Sequence, residues 1–279
     1  MNRHFVKMQG AGNDFILIDN RRGIWPLDAL HLRRWCDRRL GVGADQLLVL
    51  EETRRPDADF RYRIFNADGG EVEQCGNGAR CMTRWVLERI FPGECVRFET
   101  MRAVIRGSIG KDGLVSVEMG MPILEADDLP FRTDGLSYCG GAWRGFGLSG
   151  TDELCVLAVG NPHAVRFGPM PENEVFRRTG ERLQDHPAFP EGINFECVCP
   201  RSDSEADFRV WERGVGETPA CGSGACAAAV AGMLTGRFGR TVTFHTRGGI
   251  LRVRRPDPDG PVFLEGPAEY VFEGDLPLD

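Results

Sequence analysis

The strongest constraint on the fold is an internal repeat, in which a glycine-rich turn that carries a cysteine occurs twice. RIFNADGGEVEQCGNGARC at 63–81 aligns with RVWERGVGETPACGSGACA at 209–227, and the alignment sets Cys75 against Cys221. A period this long indicates that whole structural units, rather than short turns, are repeated.

The repeat extends upstream of the cysteines at nearly the same offset. GNDFILID at 12–19 aligns with GNPHAVRF at 160–167, and ADQLLVLE at 44–51 aligns with GINFECVC at 192–199. We therefore predict two homologous domains, at 1–120 and 121–266, with 267–279 returning to complete the first.

The two halves of the sequence predict the same kind of domain. Short stretches that are alternating and rich in β-branched or aromatic residues, such as FILID, RYRIF, FECVC and DFRVW, predict strands. The stretches Ala79 to Ile90 and Ala225 to Leu234 are apolar on nearly every side and predict helices buried on all faces. The fold class is therefore α+β (α/β, two-domain), with two pseudo-symmetric domains, each a mostly antiparallel sheet wrapped around a central helix. DALHLRRWCDRRLG, beginning at Asp28, predicts a further amphipathic helix.

Charge and composition restrict the partners. The net charge is −7, and no extended run of Lys or Arg occurs, so we expect neither nucleic acid nor a membrane surface as a partner. The N-terminus lacks the features of a signal peptide, and no apolar run reaches the length of a membrane span. We expect a cytoplasmic protein with a small-molecule substrate.

The spacing of the ten cysteines does not favour a metal site. None of the pairs around Cys75 or Cys221 forms the C-x-x-C motif of zinc sites, and we expect no bound metal. In a reducing compartment most of the thiols are free. Six are expected to be small buried apolar residues: Cys36, Cys95, Cys139, Cys155, Cys197 and Cys199.

Cys75 and Cys221 have a different setting, since each lies directly before a predicted buried helix. The positive end of a helix dipole favours a thiolate, so we expect both thiols to have lowered pKa values. One thiolate and one thiol on opposite sides of a carbon atom can invert a stereocentre by removing one proton and delivering another. A merely structural pair of capping turns is the alternative.

Amino-acid racemases commonly depend on pyridoxal phosphate, which a lysine holds. This chain has two lysines, Lys7 and Lys111, and neither lies in a typical anchoring context. No dinucleotide or Walker motif occurs. The expected chemistry therefore needs no cofactor.

Six motifs are together similar to those of the diaminopimelate epimerase family, in order and spacing along essentially the whole chain. They are KMQGAGNDF, GADQLL, RIFNADGGEVEQCGNGARC, GNPH, GINFECV and WERGVGETPACGSGACA. The resemblance implies a pyridoxal-independent, two-base epimerase that interconverts LL- and meso-2,6-diaminopimelate in lysine and peptidoglycan precursor biosynthesis. It also implies the family's fold, a pair of pseudo-symmetric domains with a central helix in each.

The resemblance implies roles for individual residues. Cys75 would deprotonate the LL isomer while Cys221 reprotonates, and the roles would exchange in reverse. His163 and Glu212 would adjust the proton affinities of the cysteines. The implied substrate-binding positions are Asn13, Gln46, Asn66, Gly76, Asn77, Asn161, Asn194, Glu212, Arg213, Gly222 and Ser223.

The sequence is also compatible with proteins of other classes. Proline racemases and hydroxyproline epimerases share the two-cysteine logic, but their cyclic substrates have no distal amino-acid group to occupy Glu212 and Arg213. PhzF-like isomerases use carboxylate chemistry in place of the cysteines, which CGNG and CGSG argue against. A thiol redox module is the non-enzymatic alternative, and the two cysteines are candidates for a disulfide under oxidation. We expect a homodimer.

Overall fold

A computed structural model describes residues 3–72, 75–139, 142–146 and 153–276. The chain divides into two compact units, the first formed by Met1–Glu118 with Glu265–Asp279 and the second by Met119–Leu264. No helix among the described residues has the length and apolar character needed to cross a membrane.

The first unit contains two helices and most of its strands before residue 119. Its elements are β1 (Arg3–Gly10), β2 (Asn13–Asp19), α1 (Ala29–Cys36), β3 (Gln46–Glu51), β4 (Phe60–Asn66), β5 (Glu71–Val72), α2 (Gly76–Arg89), β6 (Cys95–Glu99), β7 (Val104–Ile109) and β8 (Val115–Glu118). Strands β2 and β3 pair in parallel, as do β4 and β6. The pairs β1–β2, β3–β4, β6–β7 and β7–β8 are antiparallel.

The second unit repeats this order. Its elements are the short 3₁₀ helix Ala126–Asp128, β9 (Ser137–Cys139), β10 (Ala142–Phe146), β11 (Glu153–Val159), β12 (Asn161–Phe167), α3 (Asn173–Gln184), β13 (Asn194–Pro200), β14 (Glu205–Glu212), β15 (Gly216–Thr218), α4 (Gly222–Leu234), β16 (Thr241–Thr246) and β17 (Gly249–Arg254). Strand β18 (Phe263–Gly266) begins in the second unit and ends in the first. Again two pairs are parallel, β12–β13 and β14–β16. The last strand, β19 (Glu269–Leu276), pairs antiparallel with β1 of the first unit.

The central helix of each unit is buried by its own sheet. Helix α2 contacts β1, β2, β3, β6, β7 and β8, and α4 contacts β11, β12, β13, β16 and β17. Ten of the thirteen residues of α4 are buried, which explains why its sequence has almost no polar face. The predicted α+β class, with a sheet wrapped around a helix, is confirmed.

The predicted helices differ from the observed ones mainly at their ends. Both central helices begin three residues earlier than predicted, at Gly76 and Gly222, because the glycines of the turn already have helical conformation. Helix α3 was not predicted, because its sequence is strongly polar and only Phe176, Gly180 and Leu183 are buried.

The expectation of six buried cysteines is wrong for three of them. Cys36, Cys155 and Cys197 are buried, whereas Cys95 and Cys199 are half-buried and Cys139 is exposed. These three lie at the ends of β6, β13 and β9, where a strand reaches the surface of its sheet.

Candidate active site

The two repeated cysteines occupy the same structural position, the N-cap of a central helix. Cys75 precedes α2 and accepts a hydrogen bond from the Gly78 N–H at 3.4 Å. Cys221 precedes α4 and accepts one from the Gly224 N–H, also at 3.4 Å. Both have extended backbone conformation, as a capping residue requires. A thiol at this position faces the unpaired N–H groups of the first turn.

In the first unit, Cys75 lies beside two of the predicted substrate-binding residues. Its Sγ is 3.6 Å from Oδ1 of Asn13, and Nδ2 of Asn77 is 3.4 Å from the same oxygen. Nδ2 of Asn13 donates to Asp45 at 2.8 Å. Because Asp45 can only accept, it turns the amide oxygen of Asn13 toward the cysteine.

A cluster of charges holds Asp45 and its neighbour Asp14 in place. Arg38 donates to both carboxylates, and buried Lys7 donates to Asp14 at 2.7 Å. Burial acts to raise the pKa of Asp14, but hydrogen bonds from Arg38 and Lys7 outweigh it, and the net pKa is lowered. Lys7 therefore has an ion-pair partner.

Gln46 and Asn66 form a second polar pair in this unit. They face each other across the antiparallel pair β3–β4, and Nε2 of Gln46 donates to Oδ1 of Asn66 at 2.8 Å. Oε1 of Gln46 is buried without a hydrogen-bond partner in the described part of the chain. A buried acceptor of this kind suits a ligand that donates, such as an ammonium group.

A buried arginine supports the first turn of α2. Arg80 has no exposed surface, and its Nη2 donates to Oδ1 of Asn77 at 2.9 Å. This contact leaves Nδ2 of Asn77 pointing toward Asn13. Gly76, the first residue of α2, supplies one of the main-chain N–H groups at this end of the helix.

In the second unit, Cys221 lies beside a hydroxyl and a carboxyl group. Its Sγ is 3.5 Å from Oγ of Ser223, and the carboxyl group of Glu212 accepts hydrogen bonds from Cys221 and Thr218. Burial raises the pKa of Glu212. Gly222 begins α4, as Gly76 begins α2.

The expected low pKa of a helix-terminal thiol is wrong for Cys221. Burial raises the pKa of this thiol well above its ordinary value, and the neighbouring charge of Glu212 raises it further. Hydrogen bonds from Ser223 and from the Gly224 N–H act in the opposite direction but are outweighed. Burial and the charge of Glu212 therefore favour the protonated, thiol form of Cys221.

His163 forms a buried pair with a residue that the sequence did not single out. Nδ1 of His163 lies 2.7 Å from Oε1 of Glu196, and both side chains are fully buried. Its Nε2 lies 2.8 Å from Oδ1 of Asn161. His163 thus contacts Glu196 and Asn161, and its influence on Glu212 is electrostatic.

Asn194 and Arg213 are joined within the second unit. Oδ1 of Asn194 accepts from the main-chain N–H of Arg213 at 3.0 Å, while its Nδ2 donates to the carbonyl of Pro162 at 3.0 Å. The guanidinium of Arg213 lies near Glu191 and is partly exposed. Asn194 therefore fixes the position of Arg213, which keeps donors for a ligand.

Several residues of these networks were not singled out from the sequence, among them Asp45, Arg80 and Glu196. Asp45 and Arg80 lie inside the motifs GADQLL and CGNGARC, where Gln46 and Cys75 have the more obvious chemistry. Glu196 had a detectable signal. Its counterpart in the repeat is Leu48, and the exchange of a buried leucine for a glutamate marks a difference between the halves.

Each unit thus supplies a thiol at the end of a buried helix, with hydrogen-bonding groups beside it. The fold carrying these thiols is shared with enzymes of varied chemistry. A hydroxyproline epimerase from Agrobacterium vitis matches with a TM-score of 0.66 at 13% identity, over 100% of this chain and 92% of that one. A phenazine biosynthesis protein of the PhzF family from Bacillus anthracis matches with a TM-score of 0.65 at 15% identity, over 100% of both chains. These likenesses define the fold.

Sequence similarity narrows the class to one family. The family model described as diaminopimelate epimerase matches residues 5–125 and 155–271. The diaminopimelate epimerase of Azotobacter vinelandii is 44% identical over 278 residues, covering 98% of this chain and 99% of that protein. The one from Variovorax paradoxus is 44% identical over 288 residues, covering 99% and 98%. This chain belongs to the diaminopimelate epimerase family.

Proposed function

We propose that this protein is an isomerase that interconverts LL- and meso-2,6-diaminopimelate without a cofactor, in the synthesis of lysine and peptidoglycan precursors. The observation that carries the proposal is the pair of equivalent capping thiols, Cys75 on α2 and Cys221 on α4, in a chain of this family. Two such groups are the minimum that a two-base inversion requires.

The chemistry requires the two thiols to be in opposite protonation states. In the LL to meso direction, the Cys75 thiolate removes the α-proton and the Cys221 thiol delivers a proton to the opposite face of the carbon. The raised pKa of Cys221 suits it to the role of acid. Each cycle leaves the two thiols with exchanged protonation, so the reverse reaction uses the same groups in opposite roles.

The transition state carries negative charge that spreads into the α-carboxylate. The main-chain N–H groups of Gly76, Asn77, Gly222 and Ser223 lie in the first turns of α2 and α4, where the helix dipole favours an anion. Fixed donors of this kind stabilise developing charge without a cofactor that withdraws electrons.

The remaining predicted residues bind the unreacting parts of the substrate in this proposal. Arg213 takes a carboxylate, and the amide oxygens of Gln46 and Asn66 suit an ammonium group. Asn13, Asn161 and Asn194 complete the set. Glu212, in contact with the Cys221 thiol, and His163 adjust proton affinities.

The proposal extends to the state of the protein in the cell. It acts in the cytoplasm as a homodimer of two-domain chains, each chain built from two homologous domains. Its partner is a small molecule rather than nucleic acid or a membrane, which agrees with the negative net charge.

The test is an incubation of reduced protein, without pyridoxal phosphate, with LL-diaminopimelate in deuterated water. We expect meso product that carries solvent deuterium at one α-carbon. L-proline and trans-4-hydroxy-L-proline are incubated in parallel, and we expect no turnover of either. Turnover of a cyclic substrate in place of diaminopimelate, or no exchange from folded protein, contradicts the proposal.

A further inference from the structure

The pair of His163 and Glu196 places two polar side chains in the core of the second unit. Both side chains have no exposed surface, and Oε2 of Glu196 is buried without a hydrogen-bond partner in the part of the chain that the structure describes. Burying an unpaired carboxyl oxygen is unfavourable. Such a group is retained where it serves a purpose other than stability.

The first unit shows that apolar residues can fill the same positions. Phe15 lies two residues after Asn13, as His163 lies two residues after Asn161, and the parallel pairs Phe15–Gln46 and His163–Asn194 are equivalent. Leu48 and Glu196 follow by the same count along β3 and β13. Phe15 and Leu48 are fully buried.

Leu48 and Glu196 also contact equivalent points of the central helices. A Cβ placed on Gly78 of α2 would lie 3.1 Å from Cδ2 of Leu48, and one placed on Gly224 of α4 would lie 2.7 Å from Oε1 of Glu196. Each glycine donates its N–H to a cysteine. The carboxyl group of Glu196 therefore packs against the turn that holds Cys221.

The hydrogen bonds of the pair fix its number of protons. Oδ1 of Asn161 can only accept, so Nε2 of His163 carries a proton. The contact of 2.7 Å between Nδ1 and Oε1 needs a second proton between them. Whether that proton belongs to the imidazole or to the carboxyl group, the pair holds it and has no net charge. Burial raises the pKa of Glu196, in agreement with a retained proton.

The proton on Nε2 of His163 sets the orientation of the Asn161 amide. Because His163 donates to its oxygen, the amide of Asn161 presents its nitrogen, a donor, to a ligand. The equivalent Asn13 is turned the other way, since Asp45 accepts from its nitrogen and its oxygen faces Cys75. The two asparagines of the repeat are held in opposite orientations by different neighbours.

We propose that Glu196 is a positioning residue, which keeps His163 protonated at Nε2 and thereby holds Asn161 as a hydrogen-bond donor to the substrate. The inference rests on the proposed function, because it assigns Asn161 to the binding of diaminopimelate. Asp45 positions Asn13 in the first unit, where it turns the amide oxygen rather than the nitrogen away from itself and toward Cys75.

The test is a double-mutant cycle between Glu196 and Asn161, measured as kcat and KM for LL-diaminopimelate. Glu196→Leu removes the partner of Nδ1, and we expect KM to rise about tenfold with a smaller effect on kcat, the size of one lost hydrogen bond to substrate. Asn161→Ala gives a similar rise. Adding Glu196→Leu to Asn161→Ala changes KM by less than about twofold, because Glu196 acts through Asn161.

Two further variants separate positioning from folding. Glu196→Gln keeps a donor for Nδ1, and we expect its KM to stay within about threefold of wild type. The double variant His163→Phe with Glu196→Leu copies the pair Phe15 and Leu48 of the first unit, so we expect it to fold. We expect its KM to be about tenfold above that of wild type, as for Glu196→Leu. If Glu196→Leu does not fold, this variant replaces it in the cycle.

The inference is overturned by any of three results: the two rises in KM multiply in the cycle, Glu196→Leu or the Phe–Leu variant has the KM of wild type, or the KM of Glu196→Gln is as high as that of Glu196→Leu.

A spectroscopic readout works without turnover. In long-range ¹H–¹⁵N spectra, Nε2 of His163 is protonated in wild type and in Glu196→Gln, and becomes partly unprotonated in Glu196→Leu. Wild-type protein that does not turn over diaminopimelate contradicts the proposed function, whereas turnover with an unprotonated Nε2 contradicts this inference alone.

Discussion

At the scale of single residues, equivalent positions of the repeat carry different chemistry. Cys75 and Cys221 have the same capping geometry, but the neighbours of Cys75 are amides, whereas Cys221 touches the carboxyl group of Glu212 and the hydroxyl of Ser223. An enzyme that needs one acid and one base at a time gains from such unequal neighbours.

We predict that Glu212→Gln lowers the pKa of Cys221, because it removes a negative charge beside the thiol. Alkylation of Cys221 by iodoacetamide at about pH 8 then becomes faster by at least about threefold, the effect of half a pKa unit. Peptide mass spectrometry measures the rate, with fully buried Cys226 as the internal control. An unchanged or slower rate would contradict the assigned cause of the raised pKa.

At the scale of elements, the strands and central helices were predictable, because alternation and all-round apolarity are strong local signals. Helix α3 was not, since its stability comes from contacts of Phe176 and Gly180 with β13 and β14 that no local pattern records. The two cysteines were found from the repeat. The orientation of Asn13 and Asn161 depends on partners in other strands, Asp45 and Glu196, and only the structure reveals it.

The packing of α3 gives a second prediction. A Cβ on Gly180 would lie 2.4 Å from the ring of Trp211, the residue before Glu212, so Gly180→Ala displaces the end of β14. We expect a loss of about 1 to 3 kcal/mol in the free energy of unfolding, despite the better helix propensity of alanine. Urea unfolding measures it, with exposed Val175→Ala in the same helix as the control. Equal stability of the two variants would show that the helix can shift without cost.

At the scale of the whole molecule, buried thiols lower the free energy of unfolding as the pH becomes alkaline. Burial raises the pKa of Cys36 to about 11 and those of Cys81 and Cys197 to about 12. The folded chain therefore keeps protons that the unfolded chain releases above about pH 8.5. Because the folded-state pKa values are raised, this stabilisation is complete below that pH and is lost as the pH rises.

We predict that the free energy of unfolding falls between about pH 8 and about pH 9.5, with each such thiol contributing about 1 kcal/mol to the fall. Urea unfolding in the presence of a reductant measures the change. Cys81→Ala, which lacks one of these thiols, has a fall smaller by about 1 kcal/mol. A free energy of unfolding that is constant over this range would contradict the prediction.

In the proposed reaction each cysteine acts on one stereoisomer, and isotope exchange by the two single variants separates these two activities. In deuterated water, Cys221→Ala should exchange the α-proton of LL-diaminopimelate through Cys75 and form no meso product. Cys75→Ala should exchange only the meso isomer, through Cys221, and form no LL product. Inversion by either variant, or exchange of the opposite isomer, would show that the two cysteines do not act on separate stereoisomers.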